Sequence, residues 1–150
     1  MNFLIKKNNL KDILLKKCSQ LLSEVDRDFT SKTRGCFDRR YWSWKLVDYP
    51  EATYQRNIYL IAWYLKNNKN LTHLEFSHIL NTIEYGFEYL LKIQNKDGSY
   101  DQAFPNERSF GATAFILNAM LSTEEIIGNL IPSTSRNLIL NSIKKSAFFL

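Results

Sequence analysis

The chain has 150 residues and 45% of them are hydrophobic, which suits a single domain with a packed core. The formal net charge is +5, but no run of Lys or Arg is longer than two residues, and this scatter argues against nucleic-acid binding. The two His residues lack an accompanying Cys or acidic ligand set, and the two Cys form no Cys-x-x-Cys pair, so we expect no metal and no cofactor.

Five helices are predicted from the spacing of apolar residues along the chain. They cover residues 10–26, 51–66, 73–93, 107–121 and 135–150. Pro50 favours a helix start directly after it. Thr72 and Glu75 predict a capping box at the head of the third helix. Residues 122–134 are expected to hold a short helical turn that Gly128 and Pro132 close.

The predicted helices alternate in character. The first, third and fifth are amphipathic, whereas the second and fourth are apolar nearly all round, as the stretches IYLIAWYL and FGATAFILNAML show. A helix without a polar face should be covered on most sides. We therefore predict an all-α fold of helical hairpins, with inner helices covered by outer helices in a two-layer ring.

The sequence predicts neither a membrane-spanning helix nor a signal peptide. The longest apolar run, residues 58–65, is far shorter than the roughly 20 residues that span a membrane. The apolar stretch before Lys6 is too short for the core of a signal peptide. We expect a soluble, cytoplasmic protein with no membrane span.

An internal repeat links two turns of the chain. Residues 35–38, GCFD, match residues 98–101, GSYD, and an aromatic residue followed by Pro comes after each copy. A third, partial copy is at the end of the sequence, where Ser146, Phe149 and Leu150 match Gly86, Tyr89 and Leu90. We expect residues 1–150 to be one partial domain, truncated at its C-terminus, that self-associates or needs the rest of its protein.

Residues 85–100, YGFEYLLKIQNKDGSY, have the spacing small, two residues, aromatic, aliphatic, three residues, Gln, three residues, Gly. This spacing resembles the QW repeat of squalene-hopene-type terpenoid cyclases, with Tyr85 in place of the basic residue and Tyr100 in place of the Trp. The resemblance implies an incomplete α/α-toroid. Gln94 is expected to clamp the joint by satisfying backbone groups at a helix end, and Tyr100 to cover it.

A second resemblance covers more of the chain. The stretches GCFDRRYWSWKLVDYPEATYQ and IQNKDGSYDQAFPNERSFGATAF look like the N-terminal part of bacterial surface-polysaccharide-cluster proteins of the toroid type shared with heparinase-like lyases. This resemblance implies a polysaccharide-related protein, either a lyase-like or a hydrolase-like enzyme. It also implies a carbohydrate partner, and an acidic polysaccharide is the candidate.

Two polar loops precede the predicted inner helices, and both are expected at the same end of the ring. We name residues 37–50 the first loop and residues 100–110 the second loop. The candidate catalytic carboxylates are Asp38, Asp101 and Glu107, and the candidate substrate-binding residues are Arg39, Trp42, Trp44, Gln102, Asn106 and Arg108. Glycoside hydrolysis needs two carboxylates across a bond, and Arg, Asn and Gln suit a uronate carboxylate. Aromatic rings stack on sugar faces.

Each candidate residue also has a structural interpretation. Asp38 and Asp101 occupy equivalent repeat positions and can hold turn amides. Glu107 in a first helical turn would favour the helix dipole, and Trp42 and Trp44 can anchor the first loop. A non-catalytic glycan- or protein-binding module therefore stays open beside the enzyme, and so does a terpenoid-cyclase relative. An Asp-rich run for alkene protonation and a zinc set for prenyl transfer are both missing from the sequence.

Overall fold

The computed structural model describes residues 7–37 and 51–150, with side chains from Asp12 onwards. Five α-helices form this part of the chain: α1 (Lys7–Glu24), α2 (Asn57–Asn67), α3 (His73–Ile93), α4 (Phe110–Ile127) and α5 (Ser133–Phe149). Short 3-10 helices precede α2 at Ala52–Arg56 and follow α4 at Gly128–Leu130. The described residues hold no β-strand and only an isolated bridge between Tyr100 and Ser109. The all-α prediction is confirmed.

The observed bounds agree best with prediction at α3. This helix spans the predicted residues, and its capping box is present: the Thr72 side chain accepts from the Glu75 N–H, while the Glu75 carboxylate accepts from the Thr72 N–H. The predicted second helix divides into two parts, a 3-10 helix at Ala52–Arg56 and α2 after it. The buried Gln55 side chain donates to the Glu51 carbonyl and accepts from the Phe37 N–H, which ties this 3-10 turn to the first residue of the first loop.

The prediction for the fourth helix was wrong at both ends. The helix starts later than predicted, at Phe110, because Ser109 caps it by accepting from the Ala112 N–H. It then runs through the stretch TEEIIG to Ile127 instead of stopping before a separate turn. Thr123 and Ile127 are buried and continue the buried face of Ala119 and Met120, so packing favours one continuous helix.

The core forms where the second and fourth helices meet. α2 packs against α4 and α3, and α5 packs against α4 and more lightly against α3. The largest fully buried aliphatic side chains of these helices include Ile58, Ile61, Ile83, Leu90, Ile116 and Met120. α4 is less covered than expected, because Phe110 and Phe115 are 63% and 55% exposed. The ring of alternating inner and outer helices stays a prediction.

Two turn glycines make the same kind of contact. Gly35 and Gly98 both have left-handed backbones, with φ of 90° and 93°. A Cβ atom added to Gly35 would lie 1.9 Å from the carbonyl oxygen of Tyr85, on α3. A Cβ atom added to Gly98 would lie 2.2 Å from the carbonyl oxygen of Lys145, on α5. Each turn therefore rests directly on the backbone of a following helix, which only glycine permits.

An aromatic residue fills the space beneath each turn. Phe37 and Tyr100 are fully buried. The N–H of Tyr100 donates to the Thr113 hydroxyl at 2.9 Å, which fixes the start of the second loop on α4. The phenol oxygen of Tyr100 lies 3.4 Å from the Ser142 hydroxyl of α5. Burial raises the pKa of Tyr100 far above its ordinary value, so this side chain stays neutral and acts as a packing element.

Candidate functional site

The first loop falls almost entirely on residues that the structure does not describe. Asp38, Arg39, Trp42 and Trp44 all lie outside the described residues, and their proposed roles stay predictions. The residues that border this loop are described. The Ala52 N–H donates to the carbonyl oxygen of Asp101 at 3.3 Å, so the chain leaves the first loop directly beside the second one.

Asp101 holds the second loop in shape from within. It is 7% exposed, and its Oδ2 accepts from the Asn106 N–H at 2.8 Å. Its Oδ1 accepts from the Arg108 N–H at 2.8 Å and from the Asn95 side-chain amide at 2.9 Å. Asn106 and Arg108 have positive φ values of 64° and 53°, a conformation that side-chain-bearing residues rarely adopt. The carboxylate offsets this strain by satisfying both backbone N–H groups.

Glu107 supports the same loop from the exposed side. Its Oε2 accepts from the Ala103 N–H at 2.7 Å and from the Gln102 N–H at 2.8 Å. These backbone hydrogen bonds, led by that of Ala103, lower the pKa of Glu107 below its ordinary value. The interpretation that Glu107 serves the helix dipole from a first helical turn was wrong, because α4 begins only at Phe110. The carboxylate closes the loop before the helix starts.

Gln94 joins the base of the second loop to α5. Its Nε2 lies 3.0 Å from the carbonyl oxygen of Ser142, 2.9 Å from the hydroxyl of Ser146 and 3.2 Å from the carbonyl oxygen of Gly98. Its Oε1 accepts from the Ser142 hydroxyl at 2.9 Å. Gln94 therefore links two helices, as predicted. Its partners lie within α5 and in its own turn, however, so the prediction that Gln94 satisfies backbone groups at a helix end was wrong.

The remaining candidate side chains of the second loop face solvent. Gln102, Asn106 and Arg108 are exposed. The Nε of Arg108 lies 3.4 Å from Oδ2 of Asp97, in an ion pair whose arginine side chain is 63% exposed. Hydrogen bonds from the hydroxyl and N–H of Ser99 lower the pKa of Asp97, so this partner is ionised at neutral pH. An exposed guanidinium keeps its charge and a planar fork of donors.

Sequence reasoning missed two aromatic rings that flank these polar side chains. Phe104 is 69% exposed and Phe110 is 63% exposed. Phe104 had been used only as a marker of the repeat, before Pro105, and Phe110 only as part of an apolar helix. Their position in the sequence could have indicated exposure, because both residues lie in a polar loop, where an aromatic side chain need not be buried.

More aromatic surface continues from the loop along α2 and α4. Phe115 is 55% exposed, and the guanidinium carbon of Arg56 lies 5.3 Å from the centre of its ring. Tyr54 and Tyr59 are each 36% exposed. The Arg56 contact joins the 3-10 helix that precedes α2 to the exposed side of α4. We name this surface of Tyr54, Arg56, Tyr59, Phe110 and Phe115 the aromatic face.

Residues 7–37 and 51–150 contain no group of three or more His, Cys, Asp or Glu side chains that could bind a metal ion. Cys18 and Cys36 are buried and form no disulfide with each other, and burial raises the pKa of the Cys18 thiol. Within the same part of the chain, every helix is too short or too polar to cross a membrane. No protein-family model, no curated protein and no solved structure matches this chain.

Proposed function

We propose that this chain is part of a polysaccharide-related α/α-toroid and that it binds carbohydrate at the second loop. In this proposal α2 and α4 are inner helices, α3 and α5 are outer helices, and the aromatic face lines the interior of the ring. The packing of α2 against α4, with α3 on one and α5 on the other, supports this arrangement. The two glycine turns support it further, because each seats on an outer helix in the same way.

The observation that carries the proposal is that the carboxylates of the second loop bind its own backbone, whereas its other polar side chains are exposed. Its two carboxylates, Asp101 from the buried side and Glu107 from the exposed side, accept backbone N–H groups of the loop itself. Its amide and guanidinium side chains are exposed, and so are the rings of Phe104 and Phe110 in the same loop. A sugar presents apolar ring faces and hydroxyl edges, so exposed rings beside amide and guanidinium donors form a surface that can hold it.

The same hydrogen bonds argue for binding over catalysis at this loop. A glycosidase needs one carboxylic acid that is protonated at working pH. Backbone N–H groups stabilise the ionised form of Glu107 and lower its pKa, which is the opposite of that requirement. Asp101 is committed to three hydrogen bonds that maintain the loop. We therefore favour the non-catalytic glycan-binding module over the lyase-like or hydrolase-like enzyme.

Calorimetric titration with a panel of neutral and acidic oligosaccharides tests this function. The Phe104→Ala variant removes an exposed ring without touching the core, and we expect it to weaken binding by about tenfold, the effect of losing roughly 1.4 kcal/mol of stacking. Phe29→Ala is the matched control, since Phe29 is an 83% exposed ring in the loop after α1. Binding that is equally reduced in both variants, or absent from the whole panel, would contradict the proposal.

A further inference from the structure

A groove runs along the outside of the molecule between α3 and α5. Leu91 and Leu138 line both of its hollows. Residues 84–91 line one hollow together with residues 131–139, and residues 91–94 line the other together with residues 138–148, so the two helices run side by side in the same direction. Between Ser135 and Phe148 the groove follows α5 for about 20 Å, at 1.5 Å per residue. Its surface is distinct from the second loop and from the aromatic face.

The two ends of the groove carry opposite charge. Glu84 and Glu88 line the hollow at the N-terminal end, and Lys144 and Lys145 line the hollow at the C-terminal end. Glu88 is paired with Arg34, whose Nη2 lies 2.6 Å from its Oε2, so the acidic end depends on Glu84. The middle is apolar. Burial, followed by the neighbouring Glu88, raises the pKa of Glu84, so the acidic end gains from any cation that approaches it.

The groove also holds an exposed ring at one end and, at the other end, a hollow lined in part by apolar side chains. Phe148, at the basic end, is 89% exposed. The hollow at the acidic end has a volume of about 180 Å³ and includes Phe87, Ile131 and Ile139 in its lining. A cavity of about 150 Å³ is enough to hold benzene, so this hollow can accept a phenyl ring.

We propose that this groove is a homodimer interface, occupied by the same groove of a second copy of this chain related by a two-fold axis. A two-fold axis through the middle of the groove reverses the direction of the second copy. It places Lys144 and Lys145 of each copy against Glu84 of the other, and Leu138 against Leu138. Each Phe148 lies ten residues from Leu138 along α5, about 15 Å from the axis, and therefore borders the interface at its edge. The contact between the lysines and Glu84 is therefore made twice, once on each side of the axis.

Light scattering over a wide range of protein concentration tests the dimer. We expect the wild-type mass to rise to twice that of one chain. Phe148→Ala removes the ring, and a variant that carries both Lys144→Glu and Lys145→Glu opposes like charges across the axis. Each is expected to raise the dissociation constant by at least about tenfold. Lys69→Glu is the control, because it changes the same charge on the exposed turn between α2 and α3 and should leave the dimer intact.

A mixture of two variants with reversed charges tests the proposed ion pairs more directly than either variant alone. Glu84→Lys alone should also weaken the homodimer, since it opposes cations across the axis. An equal mixture of the Glu84→Lys chain with the Lys144→Glu, Lys145→Glu chain should form a heterodimer tighter than either variant with itself. A wild-type chain that stays monomeric at every concentration would overturn the proposal. So would a dimer that ignores these variants, or a mixture that does not associate.

Discussion

Replacement of Gln94 by Ala tests the joint between the second loop and α5. The amide has two N–H donors for the three acceptors near it, so two of those hydrogen bonds can be fully formed at once. With the bond that Oε1 accepts from Ser142, about three hydrogen bonds are lost. Each contributes about 0.5–1.5 kcal/mol net. Because Gln94 is only half-buried, water replaces part of this loss, and we expect a destabilisation of about 2–3 kcal/mol.

Chemical denaturation and calorimetric melting measure this effect. For a chain of this size about 1 kcal/mol shifts Tm by about 2–4 °C, so the expected fall is roughly 4–12 °C. Gln102→Ala is the matched control: it removes an exposed glutamine from the same region and should change stability by less than about 0.5 kcal/mol. Glycan binding should persist in the Gln94→Ala variant at temperatures where it is folded. An unchanged Tm together with lost binding would refute the clamp.

Three further predictions follow from named contacts. Gly98→Ala should destabilise the fold by more than about 3 kcal/mol, because the added Cβ would lie 2.2 Å from the Lys145 carbonyl oxygen and the residue has a positive φ. Gly111→Ala is the control: its Cβ would meet no heavy atom nearer than 4.0 Å, so melting curves should show a stabilisation of about 0.5 kcal/mol. Because the pKa of Glu107 is lowered in the folded state, its contribution to the stability of the fold is present above the unfolded pKa of about 4.3 and is lost as pH falls through the folded pKa. Wild type and Glu107→Gln should therefore differ in stability at neutral pH and become equal in acid, and a difference that stays constant across the titration refutes this. Arg108→Ala should weaken binding of acidic oligosaccharides about two- to fivefold more than neutral ones, as expected for an exposed charge, and equal losses for both classes would contradict the role of the guanidinium.

Local chemistry made α3 and the two turn glycines predictable. The capping box at Thr72 and Glu75 fixes where α3 begins, and both its residues are close in sequence. Gly35 and Gly98 were recognisable as turn residues because few other residues tolerate a positive φ. That each of them rests on a helix carbonyl was beyond the sequence, since the contact joins residues about 50 positions apart.

The second loop shows where sequence reasoning ends. Asp101 was recognised as a residue that can hold turn amides, and it does so. The left-handed backbones of Asn106 and Arg108 were not foreseen, because non-glycine residues adopt them only when surrounding bonds impose them. Ser109 caps α4 after this loop, so Glu107 precedes the helix and accepts N–H groups of the loop instead.

The central claim is that a glycan binds at the second loop, and an NMR titration of backbone amides with the tightest oligosaccharide of the panel tests it most directly. We predict that the largest shift changes fall on residues 100–110 and on the first turn of α4, with smaller changes along the aromatic face. Shift changes concentrated in the groove between α3 and α5, or none at saturating oligosaccharide, would contradict the claim.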